Sequence, residues 1–256
     1  VTSALSYFYQ MTGIPARRSV VRSATTGRCE NVAMSSEGRG RPRLEQPRRP
    51  GKTARDEILD AAAELFTTLG YASTSTRRIA DAVGIRQASL YHHFPTKDDI
   101  LDALLAGTVD TPLRLAQTLL AESGSAAARL HLLVATDVEQ LCANRWNLGA
   151  LYLLPELRVP RFAEFHLVRA ELRAHYRTLA QQVVAESSGH AEAVDLPFRL
   201  VESVISSRSD DNACEPGLSL VIADAALRVL GWEGDFGELR RGSADRLTRA
   251  PVNVTS

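Results

Sequence analysis

The chain predicts an all-α fold, with a small N-terminal head of three helices and a larger helical body. Apolar residues recur at helical intervals from about residue 53 to about residue 231, and no segment alternates with period two over a useful length. Ala80, Gly84 and Leu90 stand at the spacing of a helix-turn-helix. Ala80 is small enough for two helices to cross closely. Gly84 tolerates the left-handed conformation that ends one helix and begins a sharp turn. Leu90, with Ile79, Val83 and Ile85, closes the core between them.

In the first helix, from near Thr53, Ile58, Leu59, Ala62, Leu65, Phe66 and Leu69 form one stripe, and Gly70 stops it. Ser75 is a good N-cap for a second helix over 76–82. The third runs from about Arg86 to His93, where Pro95 prevents continuation. Thr96 caps a fourth that begins Lys97-Asp98-Asp99, with acids where the helix dipole favours them. Pro112 is expected to bend or interrupt it before the pattern resumes as far as Ser123-Gly124-Ser125. Further helices are expected over 126–143, 161–186, 197–208 and 217–231, with a short apolar segment at 146–154. Residues 233–256 decay into Gly, Arg, Ser and Thr and read as a flexible C-terminal tail.

At 256 residues and 45% hydrophobic, the chain has ample core. Its formal charge of zero conceals an asymmetry: residues 1–52 carry ten Lys/Arg against three acids, +7, which leaves −7 for the remainder. Residues 1–50 have no apolar period and read as a disordered basic arm; Met34 is an alternative start. The run Arg39 to Lys52 suits the minor groove of A·T-rich DNA. Cys29, Cys142 and Cys214 lie far apart without metal-ligand spacing, so free thiols and a cytoplasmic location are expected. No apolar run approaches the roughly 20 residues that span a bilayer, so no membrane partner is expected. GxSxG, HExxH, P-loop and dinucleotide fingerprints do not occur, so neither catalytic residues nor a cofactor are assigned. His92 and His93 diverge by about 100° on a helix and make a poor metal pair, and no metal is expected.

The residues Ile58 to Phe66, Gly70-Tyr71, Ser75 to Gly84, Leu90 to Phe94, and Lys97 followed by Leu101 together resemble the TetR family of ligand-responsive transcriptional repressors. The resemblance is tight over 53–105; beyond that only helical character and length match. It implies a basic arm (1–50), a helix-turn-helix DNA-binding domain (51–97), a helical ligand-binding and dimerisation domain (98–232) and the tail (233–256). It also implies that Thr76 and Arg77 approach phosphates or a groove edge, and that Gln87 and Ser89 face bases. Arg86 is placed for guanine or phosphate, and Tyr91, His93 and Lys97 for phosphates. His92 takes the variable position between Tyr91 and His93.

One helix-turn-helix reads too few base pairs, so a homodimer on palindromic double-stranded DNA is expected. Its interface candidates are Leu200, Val201, Val204 and Ile205 on one helix and Leu218, Val221, Ile222 and Val229 on the next. The resemblance further implies a cavity for an unidentified small-molecule effector. Polar and aromatic residues within the apolar helices make His131, Trp146, Tyr152, Phe165, His166, Phe198 and Glu202 its candidates. An activator, or an architectural or division-related DNA-binding protein without an inducer, would carry the same head.

Overall fold

The computed structural model describes residues 49–211 and 214–249. The arm, apart from Arg49 and Pro50, lies outside the described residues, as do Cys29 and residues 250–256.

Helix α1 (Ala54–Thr68) starts at a reciprocal cap: the Thr53 hydroxyl accepts from the Asp56 N–H at 3.2 Å, and the Asp56 carboxylate accepts from the Thr53 N–H at 3.0 Å. Ser75 begins α2 (Thr76–Val83) by accepting from the Arg78 N–H at 3.2 Å. Gly84, at φ 78°, ends it in the left-handed region, and its N–H returns to the Ala80 carbonyl at 2.9 Å. The chain turns there into α3 (Gln87–His93). Ile58, Ala62, Phe66, Ile79, Val83 and Leu90 are buried between these three helices.

Helix α4 (Lys97–Ala121), again opened by a reciprocal cap between Thr96 and Asp99, is 25 residues long. At 1.5 Å per residue it is about 37 Å long. Its first half buries Ile100, Leu101, Leu105 and Val109 in the core of the head, whereas Ala116 and Leu119 belong to the core of the body. A single rod therefore joins the two cores.

The body is built around α5 (Ala126–Ala143). A run of 3₁₀ turns at Leu148–Leu153, Pro155–Arg158 and Pro160–Phe162 leads into α6 (Ala163–Ser187), which is followed by α7 (Leu196–Asp211) and α8 (Leu218–Val229). Buried Arg208 of α7 donates to the carbonyls of Leu141 and, at 2.7 Å, Asn144, and so satisfies the C-terminal end of α5. Among the described residues none lies in a strand, and no helix is long and apolar enough to cross a membrane.

Three expectations are corrected. Pro112 neither ends nor breaks α4. A proline leaves the carbonyl four residues earlier without its donor, and here the Thr108 carbonyl receives the buried Gln140 side-chain amide at 3.3 Å. The presumed tail is not loose over Phe236–Arg249, which form α9 against α5. Phe236, Leu239 and Leu247 pack against the core of the body, and polar groups add to that attachment. The Ser243 hydroxyl donates to His131 Nδ1 at 2.7 Å, Arg240 reaches Asp224 at 2.6 Å, and Arg246 reaches Glu122 at 2.9 Å. Finally, Cys142 and Cys214 are not free thiols: they form a disulfide, Cα to Cα 5.7 Å, that ties the end of α5 to the segment before α8.

Candidate nucleic-acid interface

The two-helix turn at Gly84 sets what α3 presents. Leu90 is fully buried against α1 and α2, so the residues around it on the helix face outward. Arg86, Ser89, Tyr91, His92 and His93 are exposed, as is Arg77 at the start of α2; Thr76, Gln87 and Lys97 are half-buried. Three of the predicted contacts form one cluster. Gln87 Nε2 donates to Thr76 Oγ1 at 3.0 Å and to Tyr91 Oη at 3.1 Å, and the two hydroxyls are 3.1 Å apart. Each is a donor or acceptor that a phosphate or base edge can match, held in place across the α2–α3 junction.

The other predicted contacts divide. Arg77 extends into solvent, with only a 4.0 Å contact to Asp81. Lys97 is committed: its ammonium donates to the carbonyls of Tyr71 at 2.8 Å and Thr74 at 3.0 Å and lies 4.0 Å from the Tyr71 ring centre. It braces the α1–α2 turn, and at most one of its three N–H groups remains for a phosphate. Arg55, which no sequence signal singled out, stacks 4.1 Å over Phe94 and donates to the His93 carbonyl at 3.4 Å, which brings positive charge to the C-terminal end of α3. Arg49, counted with the basic arm, is instead pinned to α1 by Asp60 at 2.9 Å and Glu64 at 2.6 Å. Among the described residues no group of three or more His, Cys, Asp or Glu could hold a metal.

Of the seven effector candidates, five converge. Tyr152, Phe165, His166 and Glu202 line an open cavity of about 350 Å³ between the 3₁₀ turns, α6 and α7. Phe198 faces a small void of about 20 Å³ immediately beside it, which Tyr152 and Glu202 share. His131 is elsewhere, in the α5–α9 contact; its Nε2–H donates to Asp224 at 3.2 Å, and burial holds its pKa below the usual histidine value despite that carboxylate. Trp146 is also elsewhere. It lines a separate cavity of about 250 Å³ between α1 and α4, with its indole N–H on Asp60 at 3.0 Å.

Three polar groups at the convergent site were not legible as such. Asp137, buried on α5, accepts the Tyr176 hydroxyl at 2.8 Å, and burial pushes its carboxyl up to about 7. Thr108 accepts the Tyr152 hydroxyl at 2.6 Å. Arg169 pairs with Glu202 and lies 5.4 Å from the Phe198 ring centre. An arginine on an amphipathic helix has the sequence signature of a surface residue, and nothing around Arg169 distinguishes it from Arg173 or Arg177.

The interface candidates separate by burial. Val201, Val204 and Ile205 are at most 9% exposed in the single chain and belong to its own core, so they are not available to a partner. Val221 is 54% exposed, and Leu200, Leu218, Ile222 and Val229 are half-buried. With exposed Leu196 and Ser203, these leave one apolar and small-residue face on α7 and α8.

Residues 58–104 match the bacterial regulatory proteins of the tetR family. The HTH-type transcriptional repressor KstR2 of Rhodococcus jostii is 40% identical over 156 residues, which span 59% of this chain and 76% of that protein. The crystal structure of AmtR from Mycobacterium smegmatis superimposes with a TM-score of 0.77 at 71% identity, over 79% of this chain and 98% of that one. KstR2 of Mycobacterium tuberculosis, a ketosteroid transcriptional regulator, is 24% identical with a TM-score of 0.58 and shares the fold. These matches show that this chain belongs to the TetR family of helix-turn-helix transcriptional regulators.

Proposed function

We propose that the protein is a homodimeric repressor that binds a palindromic operator through α3 and leaves it when a small molecule occupies the cavity beside Arg169. The observation that carries this reading is the Thr76–Gln87–Tyr91 cluster, at the outward face of the head. Gln87 and Ser89 enter the major groove and read base edges. Tyr91, His93, Arg77 and Arg86 take phosphates, and His92 lies at the margin. Lys97 contributes through the turn it braces and through its charge.

The faces of α7 and α8 around Val221 pair with their equivalents about a two-fold axis, which sets the two heads one helical repeat apart. Helix α4 links cavity to head: Thr108, which faces the inner void, sits at the point where α4 passes from one core to the other. An effector that shifts α4 there changes the separation of the heads and favours the unbound conformer. Such a regulator works in the cytoplasm, where the DNA is.

Selection of bound fragments from genomic DNA with the full chain tests the reading. A palindromic site next to a promoter, bound by a dimer and abandoned in the presence of a small molecule, is the expected result. Uniform retention of all fragments would instead favour an architectural role.

A further inference from the structure

The small void beside Phe198 and the open cavity next to it share four residues: Tyr152, Arg169, Glu202 and Ile205. Two of these are the partners of one ion pair, so the Arg169–Glu202 contact stands in the partition between the two spaces. Glu202 has a second partner: Arg199 Nη1 lies 2.9 Å from its other oxygen. One carboxylate is thus shared by two guanidinium groups, and it remains paired if Arg169 departs. Arg169 is under-satisfied, because its Nε is buried with no hydrogen-bond partner. Arg169 and Glu202 are 28% and 17% exposed, whereas Arg199 is 54% exposed at the rim.

The charges at this site do not cancel. Asp137, which faces the void, is largely protonated below neutral pH because burial penalises its ionised form. That leaves one carboxylate for two arginines. Leu172, Val201 and Ile205 with the rings of Phe165, Phe198 and Tyr152 supply the apolar part of the walls. Thr108, His166 and Ser206 add polar atoms.

We propose that Arg169 and Glu202 form a latch opened by an apolar carboxylate: the ligand's carboxylate displaces Glu202 from Arg169, Glu202 stays on Arg199, and the ligand's apolar body joins the void to the outer cavity. The inference rests on the effector cavity proposed above and names the ligand class it takes. A planar carboxylate suits Arg169 because it can engage Nε and one Nη together, which satisfies the buried Nε. A neutral amide of the same shape cannot supply that charge, and an organic cation meets two arginines.

The test uses the full chain with 4-phenylbutanoate and 4-phenylbutanamide as probes, measured by calorimetry. The acid is expected to bind at least tenfold more tightly than the amide. Arg169→Met should remove that preference, and Arg169→Lys, which keeps charge but not the planar fork, should retain part of it. Glu202→Gln, which weakens the latch without emptying the site, should tighten the acid severalfold; this variant keeps the test decisive if Arg169→Met does not fold. Equal binding of acid and amide, no binding of the acid at millimolar concentration, or weaker acid binding by Glu202→Gln would overturn the proposal. Acid bound at Arg169 without release of operator DNA would leave the latch intact and remove the effector-release reading instead.

Discussion

The side-chain amide of Gln140 on α5 donates to the Thr108 carbonyl of α4, the acceptor that Pro112 deprives of its helical partner. It also reaches the Gly107 carbonyl at 3.0 Å, so one buried side chain bridges α4 where the helix passes from head to body. Gln140→Leu should cost about 1–2 kcal/mol, the usual toll for leaving a buried acceptor unmatched. In a Pro112→Ala background the backbone N–H returns and the cost should shrink. Denaturant unfolding of the four members of that cycle measures the coupling, and equal losses in both backgrounds would refute the pairing.

The Cys142–Cys214 disulfide closes a 72-residue separation across α6 and α7. Constraining so long a loop in the unfolded chain is commonly worth about 2–4 kcal/mol. Thermal unfolding should therefore occur at lower temperature in the presence of a thiol reductant, and Cys142→Ser should remove that sensitivity. A melting curve indifferent to reductant in the wild-type chain would show that the bond contributes nothing.

Asp137 gives the stability a pH dependence with a defined sign. Its folded-state pKa of about 7 lies above the unfolded value of 3.8 because burial disfavours the charge. Between those values the folded state holds more protons, so this group's contribution falls as pH rises from about 4 to 7 and stays low above that. Asp137→Asn keeps an acceptor for the Tyr176 hydroxyl and carries no charge. Its melting temperature should exceed the wild-type value at pH 8, and the gap should narrow as pH falls below 7 and close near pH 4. A gap independent of pH would contradict the assignment.

The face of α8 around Val221 and the core position Val204 should respond differently to the same change. Val221→Asp should give a folded monomer that no longer holds operator DNA, because a charge is placed at the middle of the proposed pairing face. Val204→Asp buries an unpaired charge inside one subunit and should compromise folding itself. Sedimentation and circular dichroism separate the two, and a Val221→Asp dimer would move the interface elsewhere.

The head was legible because its signals agree at every level: the caps Thr53, Ser75 and Thr96, the turn at Gly84 and the single buried Leu90 all lie close together in sequence. The body was legible as helices but not as a site. Which faces of α7 and α8 turn inward depends on their packing against α5 and each other, so Val204 and Val221 look alike in sequence although their exposures are 1% and 54%. Helix α9 escaped notice because its three core-facing apolar residues, Phe236, Leu239 and Leu247, are sparse among charged and small ones, and its other attachments, Ser243 to His131 and Arg240 to Asp224, are long-range polar pairs. The same holds for Arg169, whose role depends on Glu202, 33 residues away.

The most direct test of DNA reading by α3 compares Gln87→Ala and Arg77→Ala with the wild-type chain on a selected palindromic duplex, on single-base variants of it, and over a range of salt. Gln87→Ala should relax discrimination at one or two base pairs of each half-site, by about 1–3 kcal/mol per wrong base. Arg77→Ala should weaken all duplexes alike and reduce the salt slope by about one per subunit. Wild-type affinity and base preference in both variants would contradict the account.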